Sequence, residues 1–280
     1  MCSSGPVLIL AGAGSGKTRV LAYRMAYLIL EKGVNPGNIL AVTFTNKAAG
    51  EMRDRLNGLI GRGANDLWLG TFHSIGLRIL RSDGHAIGIP GGCTIYDDSD
   101  QLTLVKRCMK ELSMGEQAVN PRVVLAAINQ AKNRVIGPAH YAEGAGDFLR
   151  ERIAGIYDLY QRRLRENMAL DFGDLICEPI RLFEEHSTVL QRYQSRFHHI
   201  LVDEYQDTNR AQYRLIQLLA GGHRNLCVVG DPDQSIYCWR GADITNILDF
   251  ERDYADAAVY TLEQNYRSTG NILAAANSVV

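Results

Sequence analysis

A chain of 280 residues with a net charge of −1, 46% hydrophobic and 22% charged residues, has the balance of an ordinary globular protein. No apolar stretch approaches the length of a membrane span, and the start lacks the basic segment and apolar core of a signal peptide. The six cysteines form no Cys-x-x-Cys pair and no histidine stands where it would complete a zinc site, which excludes a zinc module. Scattered thiols of this kind point to a reducing compartment, with the cytoplasm as the expected location.

In chain order, the first element is a short apolar run at residues 7–10, followed by a glycine-rich turn and a helical pattern. A second β-rich run spans 39–44, with a weaker one at 67–71. From about 85 to 190 the pattern changes to long helices, roughly 98–112, 121–133, 146–166 and 172–185, and shows no convincing strand. Buried runs return at 200–202 and 226–229, with a weaker one at 257–262. Short apolar runs, each bounded by polar or glycine-containing segments and mostly followed by a helix, predict parallel strands of a βαβ sheet. The simplest architecture is a parallel α/β domain interrupted by a helical insertion. Residues 270–280 read as an amphipathic helix that stops without a capping signal, so a chain cut from something longer is expected.

Charge is unevenly spread. Residues 102–165 hold 11 Lys/Arg against 6 Asp/Glu, whereas residues 166–280 hold 9 against 17. A nucleic-acid site would then be a local groove that relies partly on stacking. The blander reading, solvated basic faces on helices, accounts equally well for single residues there.

Residues 11–18, AGAGSGKT, fit the A-x-x-x-x-G-K-T form of a phosphate-binding loop between strand and helix. Gly12, Ala13, Gly14, Ser15 and Gly16 would turn their backbone N–H groups toward phosphate oxygens, reinforced by the positive end of the following helix. Lys17 would reach the β- and γ-phosphates, and the Thr18 hydroxyl would ligate Mg²⁺. The partner acid is expected at the end of another buried strand, which His199-Ile-Leu-Val-Asp203-Glu204 supplies. Asp203 would hold Mg²⁺, and Glu204 would orient and deprotonate the attacking water. Lys17 and Asp203 lie 186 positions apart, which disfavours a small GTPase or nucleotide kinase.

Seven ordered blocks then carry a specific resemblance: AGAGSGKT (11–18), AVTFTNKAAGEM (41–52), GTFHSIGLRIL (70–80), DFGDLI (171–176), ILVDEYQDTN (200–209), VVGDPDQSIYCWRGAD (228–243) and LEQNYRS (262–268). Together they resemble the N-terminal portion of a superfamily 1A DNA helicase of the UvrD/PcrA/Rep group. The resemblance implies a RecA-like P-loop NTPase sheet with an inserted all-helical subdomain. Its parts would be a first motor segment at 1–85, a helical insertion at 86–190, the rest of the motor domain at 191–262, and the start of a second motor domain at 263–280. It also implies an ATP- and Mg²⁺-dependent enzyme acting on single-stranded DNA or a single/double-strand junction, moving 3′→5′, with no membrane partner.

By the same resemblance, Gln234 senses the γ-phosphate, Arg267 contacts it like an arginine finger, Tyr266 stacks near adenine, and Arg19 lies near the base and sugar. Phe44, Tyr237, Trp239 and Arg240 would stack on bases, and Asn46, with Thr45 and Lys47, would hold a backbone phosphate. His73 and Phe172 match positions lining the same groove, although packing between helices explains them almost as well. Gln206 and Asp207 are expected to support by hydrogen bonding. Cys238 stands where relatives often carry Arg, which would weaken one DNA contact. The adenine-reading glutamine segment and the second motor domain with its further arginine are absent from this sequence. Two other readings stay open: the helicase module of a helicase–nuclease, or a DNA-binding protein with a vestigial nucleotide pocket. RNA also stays open as the track.

Overall fold

The computed structural model describes residues 4–61, 66–114, 119–238 and 241–278. In chain order its regular elements begin with β1 (Val7–Ala11), α1 (Lys17–Leu30), β2 (Ile39–Thr43), α2 (Asn46–Ile60), β3 (Trp68–Thr71) and α3 (Phe72–Asp83). There follow β4 (Thr94–Ile95), α4 (Asp98–Glu111), α5 (Pro121–Asn133), α6 (Pro138–Glu143), α7 (Phe148–Glu166), β5 (Ala169–Leu170), α8 (Asp174–Glu185) and α9 (Ser187–Arg196). The last group is β6 (His199–Val202), α10 (Arg210–Ala220), β7 (Leu226–Gly230), α11 (Thr245–Leu248), α12 (Phe250–Asp253), β8 (Ala258–Leu262) and α13 (Gly270–Asn277).

The chain divides into two compact units, one formed by Met1–Phe72, Gln191–Thr208 and Leu219–Val280, the other by His73–Leu190 and Asn209–Leu218. The first unit holds a six-stranded parallel sheet in the order β3-β2-β6-β7-β1-β8. Its inner strands are almost wholly apolar, with Thr43 and His199 at strand ends, because both faces are covered and side chains on either side of the pleat enter the core. Val7, Ile9, Ala41, Leu201, Cys227 and Val229 pack there with Leu21, Met25, Met52 and Leu56 of α1 and α2. The edge strand β8 differs, with Val259 and Tyr260 exposed. The two weaker strand expectations are therefore real strands, at Trp68–Thr71 and Ala258–Leu262.

In the second unit α4, α5 and α7 bury one apolar cluster containing Leu104, Val105, Val124, Ile128, Ile156 and Tyr160. Their starts are fixed by local chemistry: a capping box between Asp97 and Asp100, Asn120 ahead of Pro121, and Asp147 accepting from the Arg150 N–H. The expectation of no strand in this stretch is corrected by one parallel pair, β4 with β5, in which Thr94 faces Ala169 and Ile95 faces Leu170. Two residues per strand are too few to display a period of two, so pattern reading passes over them.

This unit also encloses an ionic box that amphipathic patterning hides. The Lys132 amine lies 2.6 Å from Asp171 Oδ2 and 2.7 Å from Asp174 Oδ1, all three side chains buried. The Tyr160 hydroxyl donates to Asp171 (2.9 Å) and the Gln161 amide to Asp174 (3.0 Å). Burial disfavours the Lys132 charge, but the two carboxylates outweigh it and hold the amine protonated. Burial, with Asp171 beside it, pushes the Asp174 carboxyl up to about 7.

Candidate nucleotide site

The loop between β1 and α1 is built as its glycines require. Gly14 (φ 70°) and Gly16 (φ 96°) both occupy the left-handed region, which costs a side-chain-bearing residue about 1–2 kcal/mol. The Ser15 N–H (3.2 Å) and hydroxyl (2.7 Å) both donate to Gly12 O, closing the turn, and Gly16 O accepts from the Val20 N–H as α1 begins. The sheet order puts β7 beside β1 and β6 next after it, all parallel, so the residues that follow these three strands gather at one edge. Ligand sites of open parallel sheets form at that carboxyl edge.

Five of the expected side chains meet there. The buried Lys17 amine lies 3.3 Å from Glu204 Oε2 and donates to Gln234 Oε1 at 3.1 Å. The Thr18 hydroxyl donates to Asp203 Oδ2 at 3.2 Å. Burial, and then Glu204 next to it, raises the Asp203 carboxyl to about 6, a cost that a bound cation would relieve. Hydroxyl and carboxylate are hard oxygen donors of the kind Mg²⁺ takes, one or two from the protein and the rest from water and phosphate. No group of three or more His, Cys, Asp or Glu side chains that could hold a metal ion occurs among the described residues.

Glu204 itself is left-handed (φ 49°, ψ 46°), a conformation worth about 1–3 kcal/mol of strain that concentrates at functional sites. Gln206 holds it there. Its amide Nε2 donates to Glu204 Oε2 (2.9 Å) and Asp207 Oδ2 (3.2 Å), and its Oε1 accepts from the Asp231 N–H (3.0 Å). The Asp231 carboxylate in turn accepts from the Gln234 amide. The expected supporting role of Gln206 thus has a specific form, a bridge from the strained acid to the turn that carries Gln234.

The family model described as UvrD/REP helicase N-terminal domain matches residues 1–255. The chain belongs to the UvrD/REP helicase family. It is 53% identical over 278 residues to the ATP-dependent DNA helicase PcrA of Bacillus subtilis, 99% of this chain and 38% of that protein. The PcrA proteins of Staphylococcus aureus and Staphylococcus epidermidis are 53% and 54% identical over the same span. The chain therefore spans about two fifths of the length of these relatives.

Membership of the UvrD/REP family gives the remaining expected residues a frame. In the first unit, Phe44 and Tyr237 stack with ring centroids 5.4 Å apart at 28°. Asn46 opens α2, exposed, behind the Thr45 cap whose hydroxyl accepts from the Ala48 N–H. Lys47 is also exposed, 3.9 Å from Glu51. Trp239 and Arg240 lie outside the described residues. The Arg19 guanidinium sits over the Tyr23 ring, and Tyr266 is 76% exposed. His73 and Phe172 belong to the second unit, where they meet edge to face at 5.8 Å beside a cavity of about 120 Å³ also lined by Asn129, Lys132 and Asn133. Burial lowers the His73 pKa. No helix among the described residues is long and apolar enough to cross a membrane. The five described cysteines are all free thiols.

Pattern reading missed two groups. Lys132 looks like one cation on an ordinary helix. Asn265 lies within the block 262–268 without a role read from the sequence, yet its side-chain amide donates to Ala13 O of the glycine-rich loop.

Proposed function

We propose that this chain binds ATP with Mg²⁺ at residues 12–18 and hydrolyses it as the motor of an ATP-dependent DNA helicase that moves along single-stranded DNA, 3′→5′ by family resemblance. The observation that carries the reading is the convergence of Lys17, Glu204 and Gln234 on one point, with Thr18 and Asp203 paired beside it. Lys17 would bind the β- and γ-phosphates, and Glu204 would accept the proton of the attacking water. Thr18 and Asp203 would hold Mg²⁺, which supplies charge neutralisation on the phosphates. Gln234 would exchange its bond to Lys17 for one to the γ-phosphate. Three residues further along the same segment, Tyr237 stacks on Phe44, so a shift of Gln234 has a short path to an aromatic pair able to hold bases. Arg267 and Tyr266 would complete the γ-phosphate and adenine contacts.

The test is ATP hydrolysis by the full-length protein with and without single-stranded DNA. We expect DNA to stimulate it, Lys17→Ala to remove nucleotide binding, and Glu204→Gln to keep binding while lowering hydrolysis at least about 100-fold. Hydrolysis unchanged in both variants would refute the assignment.

A further inference from the structure

The segment after β8 is fastened to the phosphate loop. The Asn265 side-chain amide donates to Ala13 O, and the Tyr266 backbone N–H donates to Gly14 O at 2.9 Å. The other end of the same carboxamide, Oδ1, accepts from the N–H groups of Arg267 (2.8 Å) and Ser268 (2.9 Å). One half-buried side chain thus ties the crest of the loop to the turn that presents Tyr266 and Arg267, 252 positions away in sequence. The two backbones are in close contact. A Cβ built on Gly14 would stand 2.6 Å from the Arg267 Cβ and 2.8 Å from Asn265 Oδ1.

The consequence for the loop follows from peptide geometry. In a trans peptide the C=O and the next N–H point in opposite directions. Fixing Ala13 O fixes which way the Gly14 N–H faces. The Gly14–Ser15 peptide is held at both ends, its carbonyl by the Tyr266 N–H and its own N–H by Gly12 O. A phosphate cradle works through backbone N–H groups whose directions are set before the ligand arrives.

We propose that Asn265 is a positioning residue of the nucleotide site. Its carboxamide clasps the Ala13–Gly14 crest to the Tyr266–Arg267 turn, so that the phosphate cradle and these two side chains form one preorganised unit. This rests on reading residues 12–18 as a nucleotide site.

Asn265→Asp separates the clasp from the turn. A carboxylate still accepts from the Arg267 and Ser268 N–H groups, but it offers no donor to Ala13 O and repels that oxygen. Asn265→Ala removes both. The full-length protein and both variants are titrated with Mg·ADP, which lacks the γ-phosphate and so reports on the cradle. Amide hydrogen exchange without nucleotide is followed in the peptide covering residues 12–16. We expect ADP affinity to fall about tenfold in both variants, equivalent to about 1.4 kcal/mol. Exchange should rise in that peptide while β6 and β7 keep their protection, a pattern that general loosening of the fold does not produce. ADP affinity and loop exchange like wild type in Asn265→Asp would overturn the clasp and leave Asn265 as a local turn former. Absence of ADP binding by the wild-type protein would overturn the nucleotide reading itself, and the clasp with it.

Discussion

Gln206 is a neutral side chain set among acids, and its neutrality has work to do. The Glu204, Asp207 and Asp231 carboxylates all belong to one hydrogen-bonded chain with it or its neighbours, and burial followed by Glu204 raises Asp207 to about 6. An amide can donate to a carboxylate with one atom and accept from a backbone N–H with the other, which neither an acid nor an aliphatic side chain does. Gln206→Leu keeps much of the volume but removes one of the two donors to the strained Glu204, leaving it Lys17. Under the hydrolytic reading, single-turnover ATP cleavage should fall about 10- to 100-fold, the range expected for a lost hydrogen bond to a charged group, about 1.5–3 kcal/mol. Nucleotide affinity should change little, because Lys17 and the loop are untouched. Gln206→Glu should be worse than Gln206→Leu, since it adds like charge beside Glu204. A rapid-quench assay alongside an affinity titration checks both, and equal cleavage rates in Gln206→Glu and wild type would contradict the bridge.

At the level of elements, the legibility of the sequence follows how locally each feature is determined. The inner strands of the main sheet could be read because both-face burial writes an apolar run into each one, and α4, α5 and α7 because three or more turns repeat an apolar stripe. The glycine-rich turn between β1 and α1 could be read because its glycines are contiguous with the strand and helix that flank it. Lys132 could not, because its partners lie on another element and nothing in α5 marks it as buried. Three charges enclosed in one unit make that box a sensitive point. Lys132→Met leaves Asp171 and Asp174 buried 3 residues apart without a counter-charge, and breaking a buried pair from one side costs about 3–5 kcal/mol. We expect a clear drop in the midpoint of urea denaturation. Replacing both acids with Asn in the Lys132→Met background should recover part of the loss, and no recovery would mean the penalty is packing rather than charge. The box also fixes a tip. Asp171 and Asp174 cap each other's backbone N–H groups across the turn, and Phe172 between them is 45% exposed. Its outward pose is thus set by the ion cluster beneath it, information that the sequence motif alone does not contain.

For the whole molecule, the decisive fact is that β1 pairs with strands far along the chain. β1 carries the phosphate loop, yet its neighbours in the sheet are β7 and β8, with Val7 facing Cys227 on one side and Ala258 on the other. Partners more than 200 residues away impose a long loop closure before the strand gains any backbone pairing. Until that closure the loop has no fixed base, and Asn265 has not yet been added to clasp its crest. The nucleotide site should therefore depend on the late strands of the first unit, whereas α4, α5 and α7 draw nearly all of their shared core from residues 104–164, with Ala169 completing it. A chain ended after Arg224 retains the loop residues 11–18, Asp203 and Glu204, but lacks both strands that flank β1. We expect it to bind no Mg·ADP by calorimetry and to keep most of its helical circular dichroism, with a broad melt in place of a sharp one. Extending the chain to Leu262 restores β7 and β8 but not Asn265, so binding should return at reduced affinity, and extension through Ser268 should recover the remainder. Full affinity already at Arg224 would show that the glycine-rich loop shapes itself, without the sheet that holds it.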